Sequence, residues 1–312
     1  MKIEKVILVI VTFNRKELLK RLLLSIQSLD VKPSRVVIVN NGSTDGTDDV
    51  INSLVNNPSV NFLITVVNQR NLGAAGGFKT GISKALEYDP KFVWLMDDDG
   101  FPHHESLKYL LMEAKEQDDV VLASVCLSDT CKQKDELSFQ YNCDDGSKIK
   151  SYSELLSKFE EKGFIEKWAS FYNSILIGAN AIKKIGLPKS EMFMWGDEVE
   201  YFFRFLKNSK ISVKTIVKSI QFHPCNRQIF KFSGKLSVLD VPVDWRFFNY
   251  YRNKYYLNSI AGAKLRGVSA LLKDTISVLV LIKRKRFKAL YLLLKSFNEG
   301  AFNNYKTGIP FK

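Results

Sequence analysis

The segment Trp94-Leu95-Met96-Asp97-Asp98-Asp99-Gly100 sets three carboxylates side by side at the end of an apolar run. Adjacent carboxylates repel one another, so a strand ending on three of them needs a compensating cation. Alternate residues of an extended chain share a side, which would let Asp97 and Asp99 converge on one divalent ion while Asp98 faces elsewhere. Hard oxygen ligands suit Mg2+ or Mn2+ bridging a diphosphate. The other reading of the triplet is an acidic loop or a helix cap.

A second acidic cluster, Met194-Trp195-Gly196-Asp197-Glu198-Val199-Glu200, leads into a helical stretch. Carboxylates at a helix N-terminus are stabilised by its dipole, and capping alone would account for them. Asp197 or Glu198 is equally suited to serve as a general base that takes a proton from an attacking hydroxyl. Trp195 beside them offers a flat apolar face for a sugar ring. Of the three histidines, His223 closes a β-branched run. It is either a structural residue or a neutral imidazole that completes the metal site. His103 and His104 follow the triplet and read as solvated residues or as donor contacts.

These groups need a frame. The pattern predicts strands over 6–11, 35–40, 61–67 and 92–96, with helices over 16–29, 47–55 and 74–87. The first helix carries Leu18, Leu19, Leu22, Leu23 and Ile26 as a single stripe. Strands separated by such helices imply right-handed crossovers and a mainly parallel sheet. Ligands of such sheets bind beyond the carboxyl ends of the strands. There the chain has Thr12-Phe13-Asn14-Arg15, Asn40-Asn41-Gly42-Ser43 and Asn71-Leu72-Gly73-Ala74-Ala75-Gly76-Gly77. The first two suit a base and ribose, or are ordinary turns and caps. Glycines in the third would let backbone amides approach a phosphate, although the spacing is not that of a dinucleotide site. Regularity weakens over 100–165 and returns at 174–181 and 198–207.

The chain has 312 residues, 46% hydrophobic and 25% charged, so it is an ordinary globular protein with room for one large domain and an appendage, or for two modest domains. Cys126, Cys131, Cys143 and Cys225 form no CxxC pair, and a reducing compartment is the simpler expectation. The N-terminal apolar run is short and lacks a small-residue cleavage site, as a buried strand would. The net charge of +13 is concentrated in residues 261–312, which hold 11 Lys and Arg against 2 Asp and Glu. Ile276–Ile282 is too short to span a bilayer. The basic run Lys283–Lys288 behind it suits a helix lying on an anionic membrane surface. A packed helical subdomain or a homo-oligomer contact is the alternative. Nucleic acid is not expected as a partner, because the charge is confined to the tail while the sheet-edge motifs are acidic.

The motifs VIVTFNR, VNNGSTDGT, NQRNLGAAGGF, WLMDDDG and WGDEVEYFFR, in this order over roughly residues 5–225, resemble the family 2 glycosyltransferases. The triplet, the tryptophan-plus-acid motif and the downstream histidine are similar to those of bacterial galactofuranosyltransferases. The resemblance implies an α/β GT-A fold: a catalytic domain over 1–235 and a basic helical region over 236–312. It puts Mn2+ or Mg2+ on Asp97, Asp99 and His223, and the base on Glu198 with Asp197 beside it. Thr12, Phe13, Asn14, Arg15, Asn40, Asn71, Gly73, Asp98 and Trp195 fall around the donor. The implied reaction is a single displacement with inversion from a nucleotide-sugar donor, UDP-galactofuranose first and rhamnosyl or other hexosyl donors next. The implied acceptor is a lipid-linked glycan of a cell-surface polysaccharide such as O antigen, at the cytoplasmic face of the membrane. The segment Tyr250–Tyr256 also resembles the family's acceptor side. The chain departs from the pattern at Asn40 and Glu198, where the relatives carry Asp. A sugar-nucleotide pyrophosphorylase would show a GxGxR-type loop where this chain has TFNR. Outside enzymes, the competing class is a basic nucleic-acid-binding protein.

Overall fold

A computed structural model of the chain describes residues 5–57, 60, 62–115, 117–129, 135–142, 146–225, 230–261 and 264–305. They form two compact units, one of residues 1–188 with 201–226 and one of 189–200 with 227–312.

The first unit opens β1 (Val6–Thr12), α1 (Lys16–Gln27), β2 (Arg35–Asn40), α2 (Thr47–Val55), β3 (Leu63–Asn68), α3 (Gly73–Leu86) and β4 (Phe92–Asp97). β1 pairs in parallel with β2 and β4, and β2 with β3. Every residue of β1 is buried, as expected of a parallel strand covered on both faces. Its side chains alternate. Val6, Leu8 and Ile10 pack with Leu19, Leu22, Leu23 and Ile26 of α1. Ile7, Val9 and Val11 pack on the other face with Phe78, Ile82 and Ala85 of α3. Each such aliphatic chain contributes about 1.5–3 kcal/mol of burial. Asn61, where the third strand is predicted to begin, lies outside the described residues.

The stretch expected to be irregular is built of short elements. It contains β5 (Phe101–Pro102), α4 (Ser106–Ala114), β6 (Val120–Ser128), β7 (Glu136–Asn142), β8 (Lys148–Ser151), α5 (Tyr152–Phe159) and β9 (Phe164–Glu166). β10 (Asn173–Gly178), α6 (Ala179–Ile185), α7 (Asp197–Leu206), of which residues 197–200 count with the second unit, and β11 (Ser212–His223) follow. The sheet runs β3-β2-β1-β4-β10-β6-β11-β5. β10 lies antiparallel to β4 and β6, and β11 runs parallel to β6.

In the second unit, β12 (Phe230–Ser233) and β13 (Leu236–Leu239) form a hairpin before α8 (Trp245–Ile260), α9 (Lys264–Leu281) and α10 (Arg286–Ala301). Phe247, Tyr251, Tyr255, Val278, Ala289 and Leu293 make its core. Buried Asp274 on α9 accepts from Lys254 Nζ at 2.7 Å and Tyr255 Oη at 2.9 Å, tying α9 to α8. A division after residue 235 would cut the β12–β13 hairpin. Residues 189–200 join the C-terminal helices for a physical reason: α8 donates to their carbonyls, as described below.

Candidate active site

The triplet sits where β4 ends. Asp97 is the last strand residue, and its N–H donates to the Tyr172 carbonyl at 2.7 Å. The chain then turns at Asp98 and Asp99 rather than continuing extended. Strand alternation therefore stops at Asp97 and cannot place Asp99, which the turn aims instead. Asp98 is buried and accepts from Thr12 Oγ1 at 2.7 Å. Arg15 Nη1 donates to Asp98 Oδ1 and Asp99 Oδ2, both at 2.9 Å. Arg21 Nη2 donates to the Asp99 carbonyl at 2.9 Å and holds the turn from α1. Part of the compensating charge that the triplet requires thus comes from Arg15. Burial pushes the Asp98 carboxyl up, against the pull of Arg15 and Thr12.

The second partner of Asp99 is His223, at the last position of β11, with Nε2 3.3 Å from Asp99 Oδ1. Burial would raise the Asp99 carboxyl, but the hydrogen bond and charge of His223, then Arg15, hold it at about 2. His223 Nδ1 lies 2.9 Å from the Pro224 carbonyl. With Nδ1 donating there, Nε2 faces Asp99 Oδ1 either with a second proton, the form that lowers the Asp99 carboxyl, or with the lone pair that a metal would take. Asp99 Oδ1 is itself buried without a hydrogen bond of good geometry. Two lone pairs this close need a proton or a cation between them, so the pair fits a divalent metal. Among the described residues, three His, Cys, Asp or Glu ligand atoms lie within 4.8 Å of one another at His103, His104 and Glu105. There the His104 ring meets Asp30 at 3.0 Å, and Glu105 is engaged by Lys108 at 3.1 Å.

The loops expected to face a donor are stitched to each other. Asn14 Oδ1 accepts from Thr44 N at 2.7 Å, and its N–H donates to Ser43 Oγ at 2.9 Å. Phe13 is exposed. Asn40 is buried, accepting from Ser43 N at 3.0 Å and donating to Asp48 Oδ1 at 2.7 Å. An Asp at this position would set two carboxylates against each other, which gives the departure at Asn40 a structural account. Asn71 Oδ1 accepts from Gly73 N at 2.9 Å, at the start of α3. The glycines after it have a packing role that the phosphate reading did not include. A Cβ on Gly77 would lie 2.4 Å from Val11 Cγ1, and one on Gly81 2.3 Å from Val9 Cγ1. They let α3 lie close against β1.

Trp195, Asp197 and Glu198 belong to the second unit. Phe193, Trp195 and Gly196 have φ of 66°, 64° and 93°, a run of left-handed conformations that costs energy at the two non-glycine residues. What holds this loop is α8. Asn249 Nδ2 donates to the Met194 carbonyl at 2.6 Å, and Asn253 Nδ2 lies 2.8–3.0 Å from the carbonyls of Met192, Met194 and Trp195. Arg252 Nη2 donates to the Glu191 carbonyl at 2.9 Å. Asp197 is buried at the first turn of α7, and half-buried Glu198 accepts from Gly196 N at 2.9 Å. Burial raises the Glu198 carboxyl, and this backbone bond pulls the other way. Trp195 meets Tyr250 edge-on at 6.4 Å.

The structure therefore gathers Thr12, Arg15, Asp98, Asp99 and His223 around one turn, with Asp97 at its entry. Arg21 and Asn249 were missed as supporting residues, whereas Arg252 and Asn253 were read only as part of the segment Tyr250–Tyr256. All four are polar residues on helices that carry several others, and nothing in the pattern says which carbonyls they meet.

Residues 7–175, more than half of the chain, match the family described as glycosyl transferase family 2. Galactofuranosyltransferase GlfT1 of Mycolicibacterium smegmatis is 28% identical over 274 residues, covering 84% of this chain and 85% of that protein. The protein of the same name from Mycobacterium tuberculosis is 28% identical over 266 residues, 84% of each chain. The mannosyltransferase PcManGT of Pyrobaculum calidifontis, solved with GDP-Man and Mn2+, has a TM-score of 0.54 at 14% identity, covering 96% of this chain and 75% of that one. GalNAc-T7, solved with UDP, GalNAc and Mn2+, has a TM-score of 0.57 at 12% identity, covering 99% and 60%. These last two show the fold alone, which is GT-A. The chain belongs to glycosyl transferase family 2 and is a glycosyltransferase.

Proposed function

We propose that this enzyme transfers galactofuranose from UDP-galactofuranose, with inversion, to a hydroxyl of a lipid-linked glycan at the cytoplasmic face of a membrane. The observation that carries metal dependence is the Asp99 Oδ1–His223 Nε2 pair at 3.3 Å. The GlfT1 relatives support the sugar, and neighbours solved with nucleotide sugars or nucleotides and Mn2+ support the donor class and the ion.

Asp99 and His223, with Asp97 at the strand end, would hold Mn2+ or Mg2+. When bound, the ion supplies charge neutralisation for a diphosphate leaving group. Arg15 fixes the orientations of Asp98 and Asp99, and Thr12 locks the far oxygen of Asp98. Thr12, Phe13, Asn14, Arg15, Asn40, Asn71, Gly73 and Asp98 form the donor side, and Trp195 offers its ring to the sugar. Glu198 takes the acceptor proton as the new C–O bond forms at the anomeric carbon opposite the departing diphosphate. Asp197 stands beside it in the acid motif.

The test is transfer from a panel of UDP-, dTDP- and GDP-sugars to a lipid-linked acceptor mimic, read by product mass, after chelation and with Mn2+ or Mg2+ restored. Metal-dependent transfer from UDP-galactofuranose, abolished in Asp99→Ala, is expected. Turnover that survives chelation, or in which another donor dominates, would overturn the metal or the sugar assignment respectively.

A further inference from the structure

The helices α9 and α10 carry large apolar residues on their exposed sides as well as on their buried ones. Val278, Ala289 and Leu293 are fully buried against α8 and the hairpin. On α9, Leu272, Ile276 and Val280 follow one another at four-residue spacing and are 62%, 50% and 52% exposed. On α10, Phe287, Tyr291 and Leu294 share one face and are 87%, 64% and 59% exposed. An apolar stripe left facing solvent on a helix whose core side is already satisfied suits contact with lipid or a partner surface. Between them, Lys283, Arg284 and Lys285 are exposed, as is Lys288 beside Phe287. Among the described residues, no helix is long and apolar enough to cross a membrane.

We propose that the α9–α10 hairpin docks on the surface of an anionic phospholipid bilayer, with the two apolar stripes in the interfacial zone and the basic turn on the headgroups. Long cationic side chains flanking an apolar stripe can lie along it and keep their charge at headgroup level. A second copy of the chain fits less well, because a two-fold contact through this face would bring two clusters of like charge together. Nucleic acid fits less well because four of the six exposed stripe residues, Leu272, Ile276, Val280 and Leu294, are aliphatic and offer no stacking platform for bases. The inference deepens the lipid-linked acceptor reading but is independent of it, since vesicle binding needs no turnover.

The experiment is flotation of the full chain with vesicles of phosphatidylcholine alone or with phosphatidylglycerol, at low and high salt. Binding to the anionic vesicles that weakens with salt is expected. Phe287→Ser/Tyr291→Ser/Leu294→Ser should lose most of it, and each charge removed from Lys283–Lys285 should lower partition roughly fivefold, the equivalent of about 1 kcal/mol. All six positions are exposed, so the variants should keep the wild-type melting temperature and circular dichroism. The proposal is overturned by equal binding to neutral vesicles, or by an apolar variant that binds undiminished. It is also overturned if that variant changes only the sedimentation coefficient, from dimer to monomer, or if the wild type binds an oligonucleotide and no vesicle.

Discussion

Asp99 illustrates how one side chain acquires its role from its neighbours: Arg15 takes one oxygen and His223 faces the other. Asn40 is the counterpart on the donor side, its amide divided between Ser43 N and Asp48. Asn40→Asp, which restores the residue expected from the family resemblance, should here destabilise the protein by about 1–3 kcal/mol by opposing Asp48. Asn40→Asp/Asp48→Asn should restore most of the loss, as read by chemical denaturation. As the proposed base, Glu198 should set a pH dependence. Its carboxyl is raised above the ordinary value of 4.5 by burial, and a base acts only when deprotonated. The transfer rate should therefore fall as pH drops through a value above 4.5, and Glu198→Gln should flatten that limb and lower kcat about 10²–10⁴-fold. A steady-state pH profile of both proteins checks this.

At the scale of elements, helices are placed by close approach and by single buried polar links. Gly81 brings α3 within van der Waals distance of Val9, where a Cβ would stand 2.3 Å from Cγ1. Gly81→Ala should cost about 1–3 kcal/mol by overpacking, despite alanine's better helix propensity. In the second unit, Asp274 is the single acid that joins Lys254 and Tyr255 to α9. Asp274→Asn removes the charge while the half-buried ammonium stays behind. A loss of about 2–3 kcal/mol is expected, read by denaturant titration followed by circular dichroism.

For the molecule as a whole, the basic C-terminal segment is not a removable tail. Val278, Ala289 and Leu293 fill the core that Phe247, Tyr251 and Tyr255 would otherwise expose. A chain ending at residue 260 would drop from +13 to about +4 in net charge and bare this apolar surface, so it should aggregate. Static light scattering of the soluble fraction checks this. Here too the division between sequence and structure is clearest. The local pattern announced β1 to β4 and α1 to α3, through apolar runs for the strands and a helical stripe for α1, because such patterns lie within a few residues of sequence. The triplet and the acid motif were also legible, since clustered carboxylates are conspicuous in any chain. What only the tertiary structure decided depends on residues far apart in sequence. Arg15 meets Asp98 and Asp99 across 83 and 84 residues. Asn253 reaches the carbonyls around Trp195 across about 60. The glycines of α3 serve packing because β1 happens to lie beneath them. Sequence fixes the local period and the chemistry of each side chain, but hydrogen-bond partners are chosen by the meeting of surfaces, which no local pattern encodes.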